Sequence, residues 1–201
     1  HHGAVARRNQ GQPVPCSRVR IRRTMVPMSK LALITGANRG IGRSTALHLA
    51  RDGVDIIATY RSHADEAASL VAEVEALGRR AVAVPLDVSR PQGFTLDTTP
   101  FGRDTIDFLV NNGGFSRGGT IETVTEEDID ALVDVHFKGV ILLTQALLPR
   151  IADGGSIVNL SSGLARFTAP ERAVYGSIKA AVEMLTRYLA VELGPRGITA
   201  N

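Results

Sequence analysis

From residue 31 onward, short apolar runs alternate with longer stretches of helical period, and that alternation restricts the chain to few folds. The runs LALIT (31–35), DIIATY (55–60), AVAVPLDV (81–88), IDFLVNN (106–112) and SIVNLSS (156–162) are continuously apolar, as strands buried on both faces are. Between them, helical periods over 40–51, 64–77, 126–151 and 174–193 predict helices, with Gly53, Gly78 and Gly194-Pro195 as their stops. Strand and helix in alternation with short connections predict an α/β architecture, a doubly wound parallel sheet with helices on both faces. One crossover is weak: SRPQGFTLDTTPFGRDT, between Val88 and Ile106, carries Pro91, Gly93, Pro100 and Gly102 and predicts no covering helix.

Composition narrows the function classes. A pI near 9.4 suggests nucleic acid, but seven of the 23 basic residues fall within residues 1–30, which hold no acid. The remaining 16 basic residues face 20 acidic ones, so the domain is mildly acidic and its charge gives no reason to expect a nucleic-acid partner. No apolar run approaches the ~20 residues that span a bilayer, and no membrane association is expected. Cys16 is the only cysteine, so neither a disulfide framework nor a cysteine metal site is expected. His1, His2, His48, His63 and His136 have no ligand spacing. Residues 1–27 read as a disordered upstream extension ahead of MSKLALITG, with residues 28–201 as the folded unit. The expected compartment is the cytoplasm; the alternative is an organellar transit peptide in that basic, acid-free leader.

LALITGANRGIGRSTALHLA reads as strand, glycine turn and helix. Its spacing is G-x3-G-x-G, through Gly36, Gly40 and Gly42. Residues Gly36, Ala37, Asn38, Arg39, Gly40, Ile41 and Gly42 form a predicted cradle in which a pyrophosphate meets backbone N–H groups at the positive end of a helix. An acid at the end of the second strand would accept hydrogen bonds from the ribose of NAD; ATYRS places Arg61 there instead. With Arg39 in the turn, two guanidiniums suit a 2′-phosphate, so NADP(H) is favoured over NAD(H).

Five ordered motifs then resemble the short-chain dehydrogenase/reductase family: TGANRGIG (35–42), LDV (86–88), NNGG (111–114), NLSS (159–162) and YGSIK (175–179). The resemblance implies a Rossmann-like domain that passes hydride between nicotinamide and a small carbonyl compound or its secondary alcohol. It implies Tyr175 as general acid or base, with Lys179 four residues on as the cation favouring the phenolate and holding the nicotinamide ribose. It implies Ser162, thirteen residues before Tyr175, as the group polarising the substrate oxygen, with Ser161 as the alternative. Asp87 and Val88 are placed beside the adenine, Asn112 and Gly113 beside the adenosine and ribose, and Asn111 as a sheet-stabilising residue. A homodimer or homotetramer through the helices at 126–151 and 174–193 is implied as well.

The chain also departs from the family. NNGG stands for the usual N-N-A-G. His136 occupies the position of an Asn that organises a proton relay, and an imidazole there predicts pH sensitivity near 6.5 or, alternatively, simple packing between helices. The family continues beyond GITAN with a further strand, a Pro-Gly turn, covering helices and a last strand. The resemblance therefore predicts a sheet with its last strands missing, an open edge at the fifth strand, and weak stability and activity for residues 28–201 alone. The competing function, from another class, is a catalytically silent nucleotide-binding or interaction module.

Overall fold

The computed structural model describes residues 29–201; the predicted extension at 1–27, with Cys16, lies outside the described residues. Six parallel strands, β1 (Leu31–Ile34), β2 (Asp55–Tyr60), β3 (Ala81–Pro85), β4 (Ile106–Asn111), β5 (Ile151–Asn159) and β6 (Thr199–Ala200), lie in the order β3-β2-β1-β4-β5-β6. The order reverses between β1 and β4, which opens a crevice at the carboxyl ends of those two strands. The short β6 pairs Thr199 and Ala200 with Ser156 and Ile157 of β5, so the open edge expected at the fifth strand is taken by β6. The strand forms because Gly197, at φ +66°, turns the chain back after the preceding helix.

Alternate residues of each strand feed two cores. On one face Leu31, Leu33, Ile57, Leu109 and Ile157 pack with Leu143, Leu147 and Leu193. On the other, Ala32, Ile34, Ile56 and Ala58 pack with Ala46 and Ala50 of α1 (Gly40–Arg51) and Leu70 and Val74 of α2 (Ala64–Ala76). The weak crossover forms only a 3-10 turn at Thr99–Phe101, as its composition predicts. Leu96 and the fully buried Phe101 plug the sheet face that a helix would otherwise cover.

Gly53 and Gly78 take positive φ and stop α1 and α2 as expected, but Gly194 stays right-handed and a 3-10 turn carries the chain on to Gly197. The segment predicted as one helix from 126 to 151 is α3 (Glu126–Val133), a π turn (Asp134–Lys138) and α4 (Gly139–Leu147). A Cβ at Gly139 would lie 2.1 Å from the Val88 carbonyl oxygen, so glycine lets this helix backbone rest on the segment after β3. Taken as one run, Glu126–Arg150 is by length and composition apolar enough to cross a membrane, its most apolar 18 residues having a mean hydropathy of 1.5, against the sequence expectation. Here its apolar side packs on the sheet through the buried Leu143 and Leu147, and Leu132 is buried as well. The last helix, α5 (Ala173–Leu193), begins close to its expected start.

Thr59 is fully buried and its hydroxyl has no hydrogen-bond partner. Thr59→Val, which replaces that hydroxyl with a methyl group, is expected to raise stability by about 1 kcal/mol. Chemical denaturation checks this by an upward shift in midpoint at constant m-value.

Candidate active site

The crevice at the sheet reversal holds a cleft of about 400 Å³. Its floor is built by Thr35, just past β1. The Thr35 hydroxyl accepts hydrogen bonds from the Asn112 and Gly113 N–H groups at 2.9 and 2.8 Å. In return the Asn112 amide donates to the carbonyls of Thr35 and Gly36 at 2.9 and 3.1 Å. The glycine turn is thereby stapled to the end of β4. Gly36 takes φ +60° and lies so near Gly113 that a Cβ would come within 2.9 Å of the Gly113 Cα.

Gly40, at φ +57°, faces open space, whereas a Cβ on Gly42 would sit 2.4 Å from the Gly36 carbonyl oxygen. No side chain caps the first turn of α1 and no acid occupies it. Its free N–H groups therefore keep their affinity for an anion, and the cradle fits a dinucleotide pyrophosphate. Arg39 and Arg61 stand exposed on the lip of the same cleft.

Of the predicted cofactor residues, Ala37 and Gly42 lie beneath the cleft and shape the turn without lining it. Ala37 is fully buried and donates its N–H to the Thr59 carbonyl at 2.9 Å. Asn38 lines the wall, yet its amide is turned outward, to Glu66 at 3.0 Å and the Ser62 carbonyl at 3.3 Å, bracing the start of α2. Ile41 and Val88 line the cleft, as does Asp87. Burial works against the Asp87 charge, but the Ser89 hydroxyl and N–H, with Arg61 and Arg90, hold its pKa below the ordinary carboxylate value. Asn111 does what a sheet-stabilising residue should. Its amide joins the Thr144 hydroxyl at 3.2 Å and the Asn159 oxygen at 2.8 Å, and Asn159 passes the chain on to Thr186 at 2.9 Å, tying β4, β5, α4 and α5 together.

At the inner end of the cleft stand Tyr175, Lys179 and His136. Lys179 is buried, with Nζ donating to the Leu160 carbonyl at 2.6 Å and lying 5.7 Å from the Tyr175 ring centre. Burial lowers its pKa to about 8. The Tyr175 phenol moves the opposite way from the sequence expectation. Burial raises its pKa above the ordinary value, and the Ser162 hydroxyl and Arg172 only partly offset this. The phenol is therefore protonated at neutral pH.

His136 lies in the middle of the π turn, its ring edge-on to Tyr175 at 5.3 Å between centres. Its Nε2 is 2.5 Å from the Phe115 carbonyl oxygen and 3.3 Å from the Phe115 N–H. One nitrogen of a neutral imidazole cannot donate and accept at once, and the shorter contact assigns Nε2–H as donor to the carbonyl. Burial, with the Lys179 charge, lowers the His136 pKa to about 4, against the weaker pull of Phe115. The pH sensitivity near 6.5 expected of this imidazole does not arise. Gly114 makes room for it: a Cβ there would be 2.4 Å from Cε1.

Ser161 and Ser162 divide their work. Ser161 lines the cleft and donates to Glu183 at 3.0 Å, while Ser162 accepts from the Leu164 N–H at 3.2 Å and caps a 3-10 turn. That turn rests on α5 because Gly176 has no Cβ, which would lie 2.7 Å from the Leu164 carbonyl oxygen. Sequence reasoning missed Thr35, Gly114, Phe115 and Gly139; the T of TGANRGIG and the second glycine of NNGG were the available signals.

The profile of the short chain dehydrogenase family matches residues 30–201. The chain belongs to that family. Among curated relatives, an uncharacterised oxidoreductase of Methylorubrum extorquens is 40% identical over 176 residues, covering 86% of this chain and 70% of the relative. The 3-oxoacyl-[acyl-carrier-protein] reductase FabG of Staphylococcus epidermidis is 36% identical over 180 residues, covering 87% and 73%. Among solved structures, a short chain dehydrogenase from Burkholderia cenocepacia in complex with NADP superposes with a TM-score of 0.79 at 40% identity, covering 87% of this chain and 73% of that one. The chain is thus an oxidoreductase of the short-chain dehydrogenase/reductase family, and its six-stranded sheet is that family's Rossmann-like core.

Proposed function

We propose that this protein reduces a small carbonyl compound with NADPH, Tyr175 handing its phenolic proton to the substrate oxygen. The observation that carries the reading is the protonated Tyr175 phenol beside the buried Lys179 ammonium, in the same cleft as the uncapped α1 N-terminus and Arg39 and Arg61. The NADP-bound relative supports the choice of cofactor. When bound, the nicotinamide dinucleotide supplies the hydride. The first turn of α1 and Gly40 would hold its pyrophosphate, Arg39 and Arg61 a 2′-phosphate, and Asp87, Val88, Asn112 and Gly113 the adenosine portion.

Lys179, anchored on the Leu160 carbonyl, places a cation near the Tyr175 ring, where it stabilises charge that develops on the oxygen as the proton leaves. Ser162, which favours ionisation of the same phenol, would polarise the substrate oxygen. His136 is a positioning residue: it locks Phe115 and braces the Tyr175 ring. A homodimer or homotetramer suits α5, whose Met184, Tyr188 and Val191 form an exposed apolar stripe one helical turn apart.

NADPH oxidation in the presence of a panel of small ketones tests the reading. The rate of reduction is expected to fall as pH rises through about 8, where Lys179 loses its charge, and to show no inflection near 6.5. His136→Ala is expected to lower kcat roughly 10- to 100-fold through misplacement of Tyr175, with affinity for NADPH retained. Unchanged turnover removes His136 from the account.

A further inference from the structure

We propose that Arg172 receives a carboxylate on the substrate, so that the carbonyl compounds this enzyme takes are keto acids; the proposal rests on the oxidoreductase reading above. Arg172 is the residue immediately before α5 and lies three positions ahead of Tyr175. It is half-buried, lying against the loop that carries Ser116, Gly118 and Gly119. Glu171 adopts φ +62°, a costly conformation for a residue with a side chain, and presents its carbonyl to the Gly119 N–H at 3.0 Å. The guanidinium rests over Gly118, where a Cβ would fall 2.7 Å from Nη1, and its contact with the Ser116 hydroxyl is 3.5 Å long. Ser116 adjoins Phe115, which lines the cleft.

The arginines nearby are already matched. Arg117 pairs with Asp128 at 2.6 Å and lies over the Phe115 ring, and Arg166 is 3.6 Å from Glu183. Among the described residues, no carboxylate lies within 4.0 Å of Arg172. A guanidinium has five N–H donors in a planar fork that matches a carboxylate, and one long contact leaves most of them free. A strained backbone therefore holds an uncompensated cation one helical turn from the proton donor. Its charge also opposes the effect of burial on the Tyr175 phenol. A carboxylate on Arg172 would cancel that pull and leave Tyr175 more firmly protonated, the form a reduction requires.

The test is calorimetric titration of the protein saturated with NADP+, a cofactor state that cannot reduce a ketone. The two ligands are 4-oxopentanoate and its neutral methyl ester, and the proteins are wild type, Arg172→Gln and Arg172→Lys. In the wild type the acid is expected to bind more tightly than the ester by roughly 10- to 100-fold, the range of a charge-assisted hydrogen bond. That ratio is expected to collapse toward one in Arg172→Gln and to recover in part in Arg172→Lys. A wild-type ratio near one, or no binding of either ligand, overturns the proposal. So does equal weakening of both ligands in Arg172→Gln with a lowered melting temperature, the signature of a loop clamp. Turnover with NADPH is read separately: failure to reduce either compound while the binding preference persists defeats the oxidoreductase reading and leaves the role of Arg172 standing.

Discussion

Replacing Tyr175 with Phe lowers kcat for ketone reduction by roughly 10²- to 10⁴-fold, the usual contribution of a positioned general acid, while NADPH still binds. The substitution removes only the phenolic oxygen. The ring keeps its edge-on contact with His136 at 5.3 Å and its place 5.7 Å from the Lys179 ammonium, so the cleft retains its shape. What is lost is the proton that burial holds on the phenol at neutral pH. Steady-state turnover together with an NADPH titration of the variant separates chemistry from binding. Turnover within tenfold of wild type assigns the proton to another group, and the competing reading, a silent nucleotide-binding module, predicts no turnover to lose.

The second large effect is expected at Gly42. An Ala side chain there would meet the Gly36 carbonyl oxygen at 2.4 Å, the Asn112 amide nitrogen at 2.5 Å and the Ala37 Cα at 3.0 Å. Two of these neighbours are backbone, and Asn112 is already committed to the Thr35 and Gly36 carbonyls, so relief requires moving the whole turn. The expected cost is about 1–3 kcal/mol of stability, with NADPH affinity falling alongside as the cradle opens. Gly40→Ala is the comparison. Its Cβ meets nothing within 4 Å, and only the positive φ of +57° penalises it, by about 1–2 kcal/mol. Thermal melts with and without NADPH distinguish the two: Gly42→Ala loses intrinsic stability as well as stabilisation by cofactor, and Gly40→Ala, whose Cβ would enter the cleft where the pyrophosphate is held, loses chiefly the stabilisation by cofactor.

The sequence was informative where one physical cause dominated. Continuous apolar runs marked the strands because a parallel sheet is buried on both faces, and the glycine spacing marked the cradle because only positive φ and close backbone contact suit it. The reading stopped short where tertiary contacts decide. DVHFKGV has an unbroken helical period, and nothing local announces the π turn that centres His136; the contact of Gly139 with Val88 lies 51 positions away in the chain. Ser161 and Ser162 are adjacent and chemically identical, and the packing of Gly176 against Leu164 positions the turn that Ser162 caps. The opposite displacement of the Tyr175 pKa was hidden for a similar reason. A lysine four residues along predicts a lowered phenol pKa, but burial, a property of the whole fold, raises it, and the opposing pulls come from Ser162 and Arg172.

The proposed binding of a phosphorylated nicotinamide dinucleotide in this cleft, for carbonyl reduction, is tested by a fluorescence titration with NADPH and with NADH. The chain has no tryptophan, so the reduced nicotinamide can be followed without indole background. Saturable binding is expected, tighter for NADPH by roughly 10- to 100-fold, with that preference lost in the Arg39→Ala/Arg61→Ala double variant. Equal affinity for the two cofactors, or no saturable binding of either, would contradict it.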